Sequence, residues 1–276
     1  MEPDIPASTV YIPASQRVDD VERCRALLSE VGAALWITGG DGAPSATLLP
    51  TVWEGERLIA HASVNNPQFD LADDERVPCR VLIQGSHTYV SPRWYPSIQP
   101  AEHGGAARGR AEGRAVGTWD YEQVQIAGWL TVHRDTRRLR GEVMAQARSV
   151  DAARLADTPG AADAERGPWS GAEAPSDFMA AMLQGIVGVE LEITEVVGRF
   201  KLSRNRTDAD RAGVVAGLRE RGRDRDLRVA DAVEAVDPLP RGAASAGGSP
   251  ATAASGPAVD PLPRPVAGDP PASAGE

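Results

Sequence analysis

The sequence predicts a mainly β fold, an antiparallel barrel or sandwich with peripheral helices, and three observations carry that reading. Short apolar runs recur at close spacing with turn residues between them. The last long run alternates Val189, Leu191 and Ile193, the two-residue period of a half-buried strand. Helical periodicity is confined to three stretches flanking these runs.

Residues 1–10 read as a flexible N-terminus. Asp19 and Asp20 can cap a helix on which Val21, Cys24, Leu28 and Val31 share a face, and Gly32 stops it. Residues 33–38 form a strand leading into the turn Gly39-Gly40-Asp41-Gly42, and residues 46–52 lead to Glu54-Gly55. Strands over 58–63, 77–84 and 121–132 follow, then helices over 139–147 and 177–183, and a closing strand over 187–196. The Gly/Ala-rich stretch 99–114 reads as a mobile loop. One folded domain thus occupies 11–220.

Residues 221–276 are expected to be a disordered Ala/Pro/Gly-rich tail. Residues 241–276 hold five charged side chains and no aromatic, too little apolar surface to offset the entropy of ordering. Within the tail, Ala235-Val236-Asp237-Pro238-Leu239-Pro240-Arg241 recurs from Ala258 to Arg264. It reads as low-complexity drift or as a polyproline docking peptide.

The 276 residues carry a net charge of −10, which repels nucleic acid and anionic membrane alike. Cys24 and Cys79 lack metal-type spacing and read as reduced, buried thiols. The acidic start Met1-Glu2-Pro3-Asp4 lacks a signal-peptide pattern, and there is no long uncharged apolar run, so the expected location is the cytoplasm, with no membrane partner. One local exception to the acidity lies between Arg199 and Arg228, with ten Lys or Arg against five Asp or Glu. That stretch reads either as a phosphate- or DNA-binding patch or as helix ends with internal ion pairs.

Gly85 to Tyr95 packs two tyrosines, a tryptophan, a histidine and two serines into eleven residues at the end of an apolar strand. Such a segment can hold a flat, partly polar ligand, or its aromatics can cap the core at a Pro-pinned turn. No nucleophilic triad, Walker loop, Gly-x-Gly-x-x-Gly or zinc spacing occurs. Of four histidines, His103 reads as inert and His133 as a surface residue, while His61 and His87 each close an apolar strand beside polar residues. The run His61 to Gln68 is either an anion cradle or an Asn-Pro turn.

Several ordered blocks resemble the PaiB-type FMN-binding negative transcriptional regulators, whose fold is the flavin-binding split barrel. They are Tyr11-Ile12-Pro13, His87 to Tyr95, Gly117-Thr118-Trp119-Asp120-Tyr121 with Gly128, Pro168-Trp169, Met182 to Gly188, Lys201-Leu202-Ser203-Arg204-Asn205-Arg206 and Ala209-Asp210-Arg211. The resemblance runs to about Gly217-Leu218. It implies a six-stranded antiparallel split barrel that pairs with itself as a homodimer and holds FMN at the subunit interface. It places Thr47 on the flavin ring and His61, Ser63 and Asn66 near the phosphate. Ser91, Trp94, Lys201, Ser203 and Asn205 would close the cleft, from the same chain or from the partner subunit, and His87 joins the cofactor-binding residues. This chain departs from the family pattern at Leu48 and Gln125, each in place of a histidine, at Val64 in place of an arginine, and at Arg204 in place of a glutamine. An arginine lost from a phosphate loop removes a charge-assisted bond of about 1.5–3 kcal/mol.

Three functions follow from the resemblance. The first is an FMN-binding regulator, with DNA as a partner implied by the family name alone, since no helix-turn-helix pattern is present. The second is a flavin-dependent oxidoreductase, for which the residues identify no catalytic acid or base. The third is a haem-dependent enzyme of the piperazate synthase type, holding haem b through His61 or His87.

Overall fold

A computed structural model describes residues 10–40, 42–73, 75–100, 103–105, 113–158 and 164–237. The expectations for residues 1–9, for Asp41 in the glycine turn, for most of the 99–114 loop and for the tail from Pro238 lie outside the described residues.

Helix α1 (Val21–Val31) begins where the Asp20 carboxylate accepts the backbone N–H groups of Glu22 and Arg23, at 3.0 and 3.3 Å. Gly32, at φ 73°, ends it. The buried stripe is Cys24, Leu27 and Leu28, so the helix is turned slightly from the expected face and leaves Val21 and Val31 exposed.

There are seven strands, of which the last six begin within a few residues of the predicted positions and the first was not foreseen: β1 (Arg17–Val18), β2 (Ala33–Thr38), β3 (Ser45–Glu54), β4 (Arg57–Ser63), β5 (Val77–Val90), β6 (Thr118–His133) and β7 (Ile186–Lys201). They form one antiparallel sheet in the order β1-β7-β4-β3-β2-β5-β6, and β6 also pairs with β7. That last pairing closes β2 to β7 into a six-stranded ring and leaves β1 as a short flap on β7. Alternation sends Ala34, Trp36, Leu58, Ala60, Val81, Ile83, Val124, Ile126, Val189 and Leu191 inward. Each large apolar side chain so buried contributes about 1.5–3 kcal/mol. The indole N–H of Trp36 is satisfied inside the ring by the Thr51 hydroxyl at 3.0 Å.

β5 runs six residues past its predicted end. Its register shifts between Gln84 and His87, and a side chain at Gly85 would crowd Leu27 of α1. The aromatic segment is therefore not a loop leaving the sheet. Through Val90 it is one arm of a hairpin that pairs His87 with Tyr121 and Tyr89 with Trp119.

Helices contribute more than expected, so the chain is mixed α and β rather than mainly β. They are α2 (Thr136–Asp157), α3 (Ser176–Gln184), α4 (Asp208–Arg221) and α5 (Asp224–Ala235). α5 overturns the boundary at residue 220, because Val229, Ala230 and Val233 are fully buried and Val236 is nearly so. Four apolar residues at helical spacing, interleaved with charges, are enough to seat this segment on α4 and β5. Asp226, with no exposed surface, locks the joint by accepting from Thr88 Oγ1 at 2.5 Å and from Arg221 Nε and Nη2 at 2.6 Å each.

Candidate functional site

The segment from His61 to Gln68 leaves β4 and returns to the barrel end through its own hydrogen bonds. Asn66 accepts from Gln68 N at 3.1 Å and donates to Thr47 Oγ1 at 3.1 Å, and Thr47 donates to Gln68 Oε1 at 2.6 Å. Gln68 donates in turn to the Trp36 carbonyl at 2.9 Å. Ser63 Oγ accepts from Asn65 N, and Val64 N is taken by the Gly185 carbonyl. Thr47, Ser63 and Asn66 do lie together, but their polar groups are largely spent on this clasp. Of the two readings of this loop, the turn is the one that the geometry favours. Leu48 and Val64 stand out beside it, 66% and 47% exposed.

His61 points to the outside of the ring, where α2 lies over the sheet. Between them is a cavity of about 370 Å3 walled by Val52, Ile59, Ala60 and Ala145, with Glu142 and Gln146 facing His61. Burial drives the His61 imidazole below its ordinary pKa, opposed in part by the Gln146 side chain at its ring and by the Glu142 charge. A neutral imidazole oriented by an amide is what this wall presents.

His133, expected at the surface, belongs to the same neighbourhood. Gly188 of β7 pairs with both His61 and His133, and the His133 ring lies over Gly188 where a Cβ would otherwise stand. His133 Nε2 is 3.1 Å from Glu142 Oε2, and Arg138 Nε donates to the other oxygen at 2.7 Å. Arg138 also meets Glu190, which Arg57 reaches at 3.2 Å. No cluster of three or more His, Cys, Asp or Glu among the described residues has metal-binding geometry.

The remaining predicted site residues lie elsewhere. Lys201 pairs with Tyr121 at the far end of β7 from Gly188, roughly 40 Å along the strand. Its ammonium bonds Thr118 Oγ1 and, at 2.6 Å, the Trp119 carbonyl, and burial lowers its pKa. Ser203, at φ 52°, donates to the buried Asp120 carboxylate at 2.6 Å. Ser91 caps the turn before Trp94, and Trp94 packs on Gly213 and Gly217 of α4 beneath the Arg221 guanidinium. His87 is exposed beside Trp119, with ring centres 6.0 Å apart, and Asn205 is exposed. A single chain therefore does not assemble the predicted cleft: Thr47, Ser63 and Asn66 meet, His61 faces a different cavity, and the other six serve other parts of the fold.

One feature of the outer barrel face escaped the sequence reading. Register lines up Leu48, Leu35, Leu82 and Gln125 across four neighbouring strands, all on the outward parity. At its polar end Arg80 donates to Gln125 at 3.4 Å, Gln125 to Gln123 at 3.2 Å, and Gln123 to Gln84 at 3.1 Å. The signal was the alternation Gln123-Val124-Gln125-Ile126, which puts amides on one face of a strand that is apolar on the other.

The basic stretch after Arg199 is largely consumed internally. Arg219 pairs with Asp231 and Glu234, Arg221 with Asp226, and Arg228 with Glu30, while Arg211 is buried on the Val233 and Val236 carbonyls. Arg204 bonds the Asp237 carbonyl, and Arg206 lies over Tyr95 at 4.2 Å. Among the described residues no helix is long and apolar enough to cross a membrane.

Comparison with known proteins adds four findings. Residues 10–195 match the model of the family described as "Putative FMN-binding domain". An uncharacterized protein of Aspergillus fumigatus is 30% identical over 65% of this chain, and the chain spans 65% of that protein's length. The protease synthase and sporulation protein PAI 2 of Bacillus subtilis is 23% identical over 82% of this chain and 97% of its own. Among solved structures, the FAD and haem binding protein of Mycobacterium smegmatis covers 67% of this chain and 73% of its own at 16% identity, with a TM-score of 0.45.

Proposed function

We propose that this chain, which belongs to the FMN-binding domain family matched by its residues 10–195, is a flavin-binding split barrel that works as a homodimer. The observation that carries the reading is the outer-face row Leu48, Leu35, Leu82 and Gln125, continued by the Arg80–glutamine ladder. An isoalloxazine ring needs an apolar face and a few amide-edge bonds, and this row offers both. A second copy laid on the same face would cover the exposed Leu48 and bury the ring between two sheets. When bound, the flavin would supply hydride and electron chemistry; the chain's own contribution here is to bind, orient and dry the ring.

The regulator role rests on the resemblance to the PaiB-type regulators alone. The committed arginines of α4 and α5 give DNA little to grip. The expected result is a flavin double peak near 370 and 450 nm after reconstitution with FMN, in a species eluting as a dimer. Leu48→Asp, which alters only an exposed position, should lose both features together. Flavin taken up by a monomer, or unaffected by that substitution, would place the ring elsewhere.

A second reading, haem ligation, is kept by one observation: His61 is held neutral at the wall of a largely apolar cavity. Glu54 and Glu142 at that wall oppose haem propionates. A Soret band that disappears in His61→Ala would favour this reading over flavin.

A further inference from the structure

The cavity between α2 and the outer face of β3 and β4 has a charge pattern that specifies its occupant. Among the described residues that line it there is no lysine or arginine, whereas the carboxylates Glu54 and Glu142 both do. The guanidiniums that reach these carboxylates are shared: Arg138 between Glu142 and Glu190, and Arg57 between Glu190 and Glu54. Three carboxylates (Glu54, Glu142, Glu190) against two guanidiniums leave one negative charge, and His61 adds none because burial keeps it neutral. An anion entering here would lose its water and meet only like charge. An ammonium would meet a carboxylate, an imidazole and an amide, with apolar walls behind it. His133 Nδ1, buried and without a hydrogen-bond partner, marks the same neighbourhood as incompletely satisfied.

We propose that this cavity is a binding site for a small primary amine with an apolar body. The ammonium sits at the Glu142–His61 end, and the body lies against Val52, Ile59 and Ala145. The site is distinct from the flavin platform. Glu54, His61 and the α2 residues lie off the Leu48–Gln125 row, and the acidic lining rejects a flavin phosphate. The proposal therefore stands whether or not flavin binds.

Benzylamine and phenyl phosphate are matched probes, with similar bodies and opposite charge. Each is titrated into the full chain while the His61 ring-proton resonance, assigned by its loss in His61→Gln, is followed. Benzylamine should shift it saturably below about 10 mM, and phenyl phosphate should bind at least about tenfold more weakly. Ala145→Trp, which fills the cavity from α2, should abolish the benzylamine shift. Glu54→Gln, on the exposed rim where folding is not at stake, should weaken benzylamine about threefold and phenyl phosphate not at all. No saturable shift, equal affinity for the two probes, or benzylamine binding unchanged in both variants would overturn the assignment.

Discussion

Replacing Asp120 by Asn should remove a pH dependence of stability that the wild-type chain carries. Asp120 opens the inner face of β6 and is 1% exposed. Burial raises its carboxyl from 3.8 to about 6, against the hydrogen bond from Ser203 and the charges of Lys201, Arg206 and Arg211. The folded state thus holds this proton more tightly than the unfolded chain does. Stability from this group is complete below pH 3.8 and is lost as pH rises through about 6. A rise of about two pH units in the pKa corresponds to about 3 kcal/mol. Urea unfolding followed by tryptophan fluorescence, from pH 4 to 7.5, measures it. The difference between wild type and Asp120→Asn should grow by up to about 3 kcal/mol in favour of the variant across that range. Any constant offset from a poorer bond to Ser203 would not alter the slope. Parallel curves would refute the argument.

The same experiment separates two roles for Ser203. If its hydroxyl holds the Asp120 charge, Ser203→Ala leaves a buried carboxylate without its donor, costs about 1–3 kcal/mol at pH 7, and moves the titration upward. If Ser203 serves a cofactor instead, the pH profile stays where it was and ligand uptake falls. The 2.6 Å bond between these buried side chains makes the first outcome the expected one.

Three further outcomes are expected. Asp226→Asn should cost about 2–4 kcal/mol by leaving Arg221 and Thr88 facing a neutral group. Arg221 first, then Thr88, holds the Asp226 pKa down, so the wild-type advantage should be present above about pH 4 and shrink as pH falls further, as urea midpoints would reveal. Gly217→Ala should lower the melting temperature by several degrees, because its Cβ would run into the Trp94 indole. Burial pushes the thiols of Cys24 and Cys79 up to about 11 and about 12, so neither should react with a disulfide reagent at pH 8 until urea unfolds the chain.

The strands were legible because burial on one side leaves a period of two that turns punctuate. β2 was placed at both ends, β4 to within one residue, and β7 at its start, though it runs on to Lys201. What sequence could not give was the Gly85 bulge, since its cause is Leu27 arriving from a distant helix. The same holds for α5, whose Val229, Ala230, Val233 and Val236 are too few to stand out from the surrounding charges. His133 was misjudged because the chain beside it, Arg134 and Asp135, is polar. Only α2, brought back across the sheet, covers it with Glu142. The free thiols were readable from their spacing, but the partners of Arg219, Arg221 and Arg228 were not, because each lies on another helix: Asp231 and Glu234, Asp226, and Glu30.

The residues that carried the family resemblance divide by what holds them. Trp94 lies on Gly217, Asp210 accepts from both Ser97 N and Ser97 Oγ, Ser203 clasps Asp120, and Lys201 ties down the Thr118–Trp119 strand end. Each has a sufficient reason within one chain, so none of them needs a ligand to explain it. Trp119 and Tyr89 do not: they are 49% and 42% exposed, in edge contact with each other. Leu48 lies exposed on the outer face of a closed ring, and nothing in the fold of a single chain requires it there. An exposed apolar side chain on a strand stays in water and so gains nothing from the folding of its own chain. Of these positions Leu48 lies on the proposed flavin platform, whereas Tyr89 and Trp119 pair with each other at the far end of the β5–β6 hairpin and form a second exposed apolar spot.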